Sequence, residues 1–176
     1  SGASNQANGA VVGGTSALTK SGAGTLTLNG TNTYTGPTRI DAGVLSVATI
    51  GNGGVAGNLG QATNDATNLV LGGGTLRYTG ASASTDRAFT LASATTSSID
   101  VTTNNLTMSG AGASTSGALT KAGAGTLTLS GANAYTGATT INAGVLSVAT
   151  IGNGGVAGNL GQATNAAANL VLGGGT

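Results

Sequence analysis

The chain has 176 residues with a net charge of +1, only 5% charged residues and 34 glycines, against about 25% charged in an ordinary domain. It holds no His, Cys, Trp or Glu, so most general bases, activated nucleophiles and metal ligands are missing and four Asp (41, 65, 86, 100) are the only acids. No basic cluster supports binding to nucleic acid, and no apolar run approaches the roughly 18 residues of a membrane span.

In chain order the predicted elements are short strands. Thr25–Leu28 alternates, with Leu26 and Leu28 on one side and the threonines on the other. Arg39–Ala42 turns Ile40 and Ala42 inward, and beyond a Gly43 corner Leu45 and Val47 follow. Asn68–Leu71 and Thr75–Tyr78 flank a run of three glycines. Phe89 with Leu91, Ile99 with Val101, and Leu106 with Met108 continue the alternation. Helical spacing is never held for more than a turn, and Gly, Thr, Asn and Ser disfavour helix. The inward residues are too small to fill a two-sheet sandwich about 10 Å thick. They suit the narrow interior of a β-solenoid, in which each coil buries its side chains on its neighbours.

The chain also repeats itself. Residues 17–75 and 118–176 align without a gap at an offset of 101 residues, with 50 of 59 positions identical. The organisation expected is one continuous solenoid: a preceding coil at 1–16, a full repeat at 17–117 and a second, truncated repeat at 118–176. A coil of roughly 20 residues predicts about five coils per repeat. Because the second copy stops at Thr176, where the first continues into Leu76-Arg77-Tyr78, the segment reads as a piece of a longer array.

Residues 18–47 (LTKSGAGTLTLNGTNTYTGPTRIDAGVLSV) and 119–148 (LTKAGAGTLTLSGANAYTGATTINAGVLSV) resemble the passenger-associated transport repeat of bacterial autotransporters. The segments at 68–80 and 84–91 are similar to the stretches that succeed such repeats in large autotransporter adhesins. The resemblance implies a right-handed parallel β-helix within the secreted passenger of a type V secretion system. It also implies export through the periplasm and outer membrane to the cell surface, and a role in translocation or adhesion.

Candidate sites carry little chemistry. Asp86-Arg87 reads as a charge pair fixing the corner between Thr85 and Phe89. Asp41 and Asp65 become Asn142 and Ala166 in the second copy, which argues against a repeated functional carboxylate. Gly51, Gly53, Gly54, Gly57 and Gly60 lack the acidic partners of a calcium-binding repeat and read as a bulged loop. Thr25, Thr27, Thr126 and Thr128 are outward residues suited to strands, and their TxT pairs recur too rarely for an ice- or sugar-binding array. Tyr34 and Tyr135 are expected to pack on a neighbouring corner. Asn29-Gly30-Thr31 and Asn105-Leu106-Thr107 match the glycosylation pattern but carry little weight in a bacterial chain. The expectation is a structural or adhesive segment with no catalytic residue, cofactor or metal. Its expected partners are a host surface, matrix or glycan ligand, or other copies of itself. A β-helical carbohydrate-active enzyme and a fibre-forming segment are the alternatives.

Overall fold

A computed structural model describes residues 4–5 and 11–176. The strands are β1 (Ser4–Asn5), β2 (Leu18–Lys20), β3 (Thr25–Leu28), β4 (Thr38–Ile40), β5 (Val44–Val47), β6 (Leu69–Leu71), β7 (Thr75–Tyr78) and β8 (Ala83–Thr85). They continue as β9 (Thr90–Leu91), β10 (Thr96–Val101), β11 (Asn105–Met108), β12 (Ala118–Ala122), β13 (Thr126–Leu129), β14 (Thr139–Ile141), β15 (Val145–Val148) and β16 (Leu170–Leu172). Single 3-10 turns, Ala66–Asn68 and Ala167–Asn169, precede β6 and β16. The expected coil at 1–16 falls, for residues 1–3 and 6–10, outside the described residues.

Every named strand pairs in parallel, and three sheets make a β-solenoid. One sheet runs β1-β3-β5-β7-β10-β12-β14-β16, the second β8-β11-β13-β15 and the third β2-β4-β6-β9. Period-2 alternation places one side chain per coil on each interior ladder. One ladder runs Leu26, Leu45, Leu76, Ile99, Lys121, Ile141, Leu172. Another stacks Lys20, Ile40, Leu71 and Leu91, and a third Leu106, Leu127 and Leu146. Most of these aliphatic residues are fully buried, each contributing about 1.5–3 kcal/mol relative to exposure. Gly43 and Gly144 turn the chain between strands at φ 65° and 66°, a region that residues with a Cβ rarely enter.

The expected five coils per repeat need correction. Along the first ladder the separations between paired residues are 19, 31, 23, 22, 20 and 31, making six turns from Leu26 to Leu172. The two long turns each carry a loop that forms no strand. From β3, four turns reach β12 in the same sheet, and one further face reaches β13, the copy of β3, in the next sheet. A 101-residue repeat therefore spans four turns and a third, so each copy is rotated by one face relative to the last. Identical residues in the two copies look out from different sides of the solenoid.

Candidate functional site

The long turns hold the feature that most resembles a site: the Gly-rich loop after β5 in the first copy and after β15 in the second. Both loops are anchored by one buried asparagine. The Asn58 side-chain oxygen accepts from the backbone N–H groups of Ala48 (3.0 Å) and Thr49 (2.9 Å), and its amide donates to the Gly30 carbonyl (2.9 Å). Asn159 repeats the arrangement with Ala149, Thr150 and Gly131. Asn32 and Asn133 donate in turn to the carbonyls of Asn58 and Asn159. Such residues close tight loops because the carboxamide supplies the donors and acceptors that strand pairing would otherwise provide.

Beneath each loop lies a tyrosine. Tyr34 and Tyr135 are buried and hydrogen-bond the hydroxyls of Thr38 (2.7 Å) and Thr139 (2.9 Å). The rings press under Gly60 and Gly161, where any Cβ would collide with them. Packing on a corner, as expected, is what the structure gives. Burial raises both phenols, Tyr135 to about 12. At Tyr34 the Thr38 hydrogen bond and the nearby Arg87 charge oppose that rise.

Asp86-Arg87 is not the local charge pair expected. Among the described residues the ion pairs are Arg39 with Asp41 (2.6 Å) and Arg77 with Asp100 (2.7 Å). Arg87 is 2% exposed and reaches back one turn into the first loop. Its Nε donates to Gly51 (3.0 Å), Nη1 to Ala62 (3.2 Å) and Nη2 to Gly60 (2.8 Å) and Val55 (3.4 Å), all carbonyls. Asp86 accepts from the Gly53 N–H (2.7 Å) while its own N–H donates to the Asn52 side chain (3.1 Å). The pair therefore clamps a loop 25 to 36 residues earlier, a separation invisible to local sequence reading.

The remaining expectations resolve individually. Asp41 lies on Arg39, and both residues change together in the second copy, to Asn142 and Thr140. Asp65 caps the 3-10 turn by accepting from the N–H (2.8 Å) and hydroxyl (2.6 Å) of Thr67, and these also change together, to Ala166 and Ala168. Thr27 and Thr128 fall on different sheets. Thr128 lies beside Thr107 and Ser147, and Thr107 beside Ser84, forming a hydroxyl ladder that the TxT spacing alone did not reveal. Thr27 lies beside Ser46, the next positions being Arg77 and Asp100.

Sequence reading missed two buried lysines. Lys20 and Lys121 occupy interior ladder positions, and each spends its three ammonium protons on three carbonyls at a glycine corner. Lys20 Nζ meets Ser21 (3.1 Å), Gly22 (2.6 Å) and Ala42 (3.0 Å), and Lys121 Nζ meets Ala122 (2.6 Å), Gly123 (2.7 Å) and Ala143 (3.2 Å). Burial lowers the Lys121 pKa, with the Asp100 charge opposing. Identity in both copies was the only available signal.

Among the described residues no three His, Cys, Asp or Glu side chains gather where a metal could bind, and no helix is long and apolar enough to cross a membrane. Residues 18–47 and 119–148 match the passenger-associated transport repeat. The chain is 46% identical over 168 residues to the Adhesin BmaC autotransporter of Brucella suis biovar 1 (strain 1330), covering 93% of this chain and 5% of that protein. It thus spans about a twentieth of the length of the curated relative it matches. No solved structure matches the chain. The two matched stretches belong to the transport-repeat family of autotransporter passengers, which are exported to the bacterial cell surface.

Proposed function

We propose that this autotransporter passenger segment is a non-enzymatic, adhesive stalk whose repeats present the same loop tip on successive faces. The observation that carries the reading is at Val55 and Val156. Both are more than half exposed (54% and 56%), although one loop base is clamped by Arg87 and the other is not. The tips therefore project regardless of what covers the base. Because each copy is rotated by one face, the two tips look out on different sides. Shallow tips of this kind bind weakly one at a time, and repetition along the solenoid converts weak contacts into avidity. A host-surface, matrix or glycan ligand fits this geometry better than a deep-pocket substrate.

Parallel ladders also support a role in export. Each coil is stabilised chiefly by its neighbours, so folding outside the cell can advance coil by coil without an external energy source. Absent cysteines and sparse charge favour threading of the unfolded chain.

Binding of the purified segment to host cells, matrix proteins, a glycan array and itself tests the adhesive reading. Saturable binding that Val55→Asp and Val156→Asp together weaken at least tenfold is expected. A folded segment that binds none of the four would reduce it to a spacer.

A further inference from the structure

The tip of the first loop carries an asparagine followed by a glycine, Asn52-Gly53. The turn is closed by the Val55 N–H donating to the Asn52 carbonyl (3.1 Å) and the Gly54 N–H donating to the Ala62 carbonyl (2.8 Å). Asn52 is exposed, so water reaches its side chain. Gly53 has no substitute, because a Cβ there would collide with the Asn64 backbone. An asparagine carboxamide and the backbone nitrogen of the next residue can close a five-membered ring, and glycine at the second position leaves that closure uncrowded.

Asp86, arriving from the next turn, touches both groups that would react. Its carboxylate accepts from the Gly53 N–H (2.7 Å), whose proton has to leave as the nitrogen bonds to carbon. Its own backbone N–H donates to the Asn52 side-chain oxygen (3.1 Å), where negative charge develops when the carboxamide carbon is attacked. One residue thus supplies a base at the nucleophile and a donor at the oxyanion. The N–H lies in the peptide plane while the nitrogen attacks with the electrons above it, so the hydrogen bond does not block the new bond.

We propose that this tip is a self-processing site, at which Asn52 converts to aspartate and isoaspartate through a succinimide with Asp86 as the general base. The Gly53 nitrogen bonds to Asn52 Cγ and gives its proton to the Asp86 carboxylate. Asp86 passes the proton to the carboxamide nitrogen as the Cγ–Nδ2 bond breaks, and ammonia leaves. Water then adds to one of the two ring carbonyls and opens the ring, to aspartate or to isoaspartate. Proton transfer neutralises Asp86 as the oxyanion forms, so the two do not repel. The product sets a second carboxylate against Asp86, and isoaspartate adds a methylene to the main chain. The tip that carries Val55 is thereby recharged and loosened from its cover. The inference rests on no reading of what the tip binds.

The test incubates the intact chain at neutral pH and follows Asn52 by peptide mapping, in which cleavage after Arg39 and Arg77 separates it from its copy Asn153. Loss of ammonia at Asn52, followed by aspartate and isoaspartate, is expected. Asp86→Asn keeps a side-chain oxygen for the Gly53 N–H and keeps the backbone donor but removes the base, so conversion should slow by about tenfold or more. Asn153, which Asp86 does not touch, should convert at the same rate in both chains, and unchanged amide protection at Gly53 would show that the variant loop is intact. A variant that converts Asn52 as fast as the unaltered chain, or faster, overturns the proposal, because the hydrogen bond is then idle or protective. So does an Asn52 that stays intact in the folded chain over the time in which the urea-unfolded chain converts. That last comparison needs no variant, so misfolding cannot imitate it.

Discussion

The loop after β5 and the loop after β15 are one sequence in two environments. Under the Asp86-Arg87 clamp, Ile50 and Leu69 are sealed. In the second loop, whose covering turn would lie past Thr176, Ile151 and Leu170 face solvent, while the anchoring asparagine, the tyrosine below and the projecting valine are the same. The difference separates two kinds of determinant. The loop's own shape is local, set by Asn58 or Asn159 and by glycine, whereas its stability is supplied by the next turn.

The sharpest way to break the contrast is Arg87→Ala, which should make the first loop behave like the second. A loss of about 3–4 kcal/mol is expected, because the carbonyls of Gly60 and Val55 lose the guanidinium donor, while Gly51 and Ala62 each fall back on one other donor, Thr85 and Gly54. Chemical denaturation would show it, and amide exchange at Gly51–Gln61 should rise to the rate at Gly152–Gln162. A variant whose first loop keeps its protection would show that the clamp adapts to the loop's shape without stabilising it.

Alkaline titration sharpens the comparison at the tyrosines. The Tyr135 phenol is raised from 10.0 to about 12 by burial, so the unfolded chain ionises first. Its contribution is fully present below pH 10 and is lost as pH rises towards 12, about 2–3 kcal/mol in all. Tyr34 titrates in the same sense, but Arg87 favours its phenolate and opposes the rise. Lys121, lowered by burial, acts in the opposite direction. Circular dichroism between pH 9 and 12 should therefore show alkaline loss of structure that Tyr135→Phe flattens more than Tyr34→Phe.

Smaller effects are expected from the anchors. Asn58→Ala and Asn159→Ala should each cost about 2 kcal/mol, because each buried carboxamide holds the same three backbone partners. A clearly smaller loss for Asn159→Ala would mean that the Asp86-Arg87 cover strengthens the Asn58 anchor. Smallest of all is the double change Asp65→Ala with Thr67→Ala, which converts the first 3-10 turn to the second copy's sequence. Its midpoint in thermal unfolding should move less than that of either asparagine variant.

Much of the architecture was legible in the sequence alone. Leu26 and Leu28, Leu45 and Val47, Ile99 and Val101 alternate with period 2, and that alternation survives any register in which one side is buried. The bulged loop was legible from its glycines, and the packing of Tyr34 and Tyr135 from their place in a turn. Lys20 and Lys121 were not legible, because a charge reads as outward until the three carbonyls that hold it are located, one of them a turn away. Arg87 was misread for the same reason: its partners lie 25 to 36 residues earlier.

By itself, then, the sequence determined an all-β chain, a repeat and the strands that line its interior, since these depend on side-chain period and glycine corners and are local. Only the tertiary structure decided the phase of the repeat, which is rotated by one face because one 31-residue turn among its four lengthens the path around the solenoid. It also decided how the first loop is covered. That depends on a guanidinium arriving from the next turn, and a contact between turns is written in no single stretch of either.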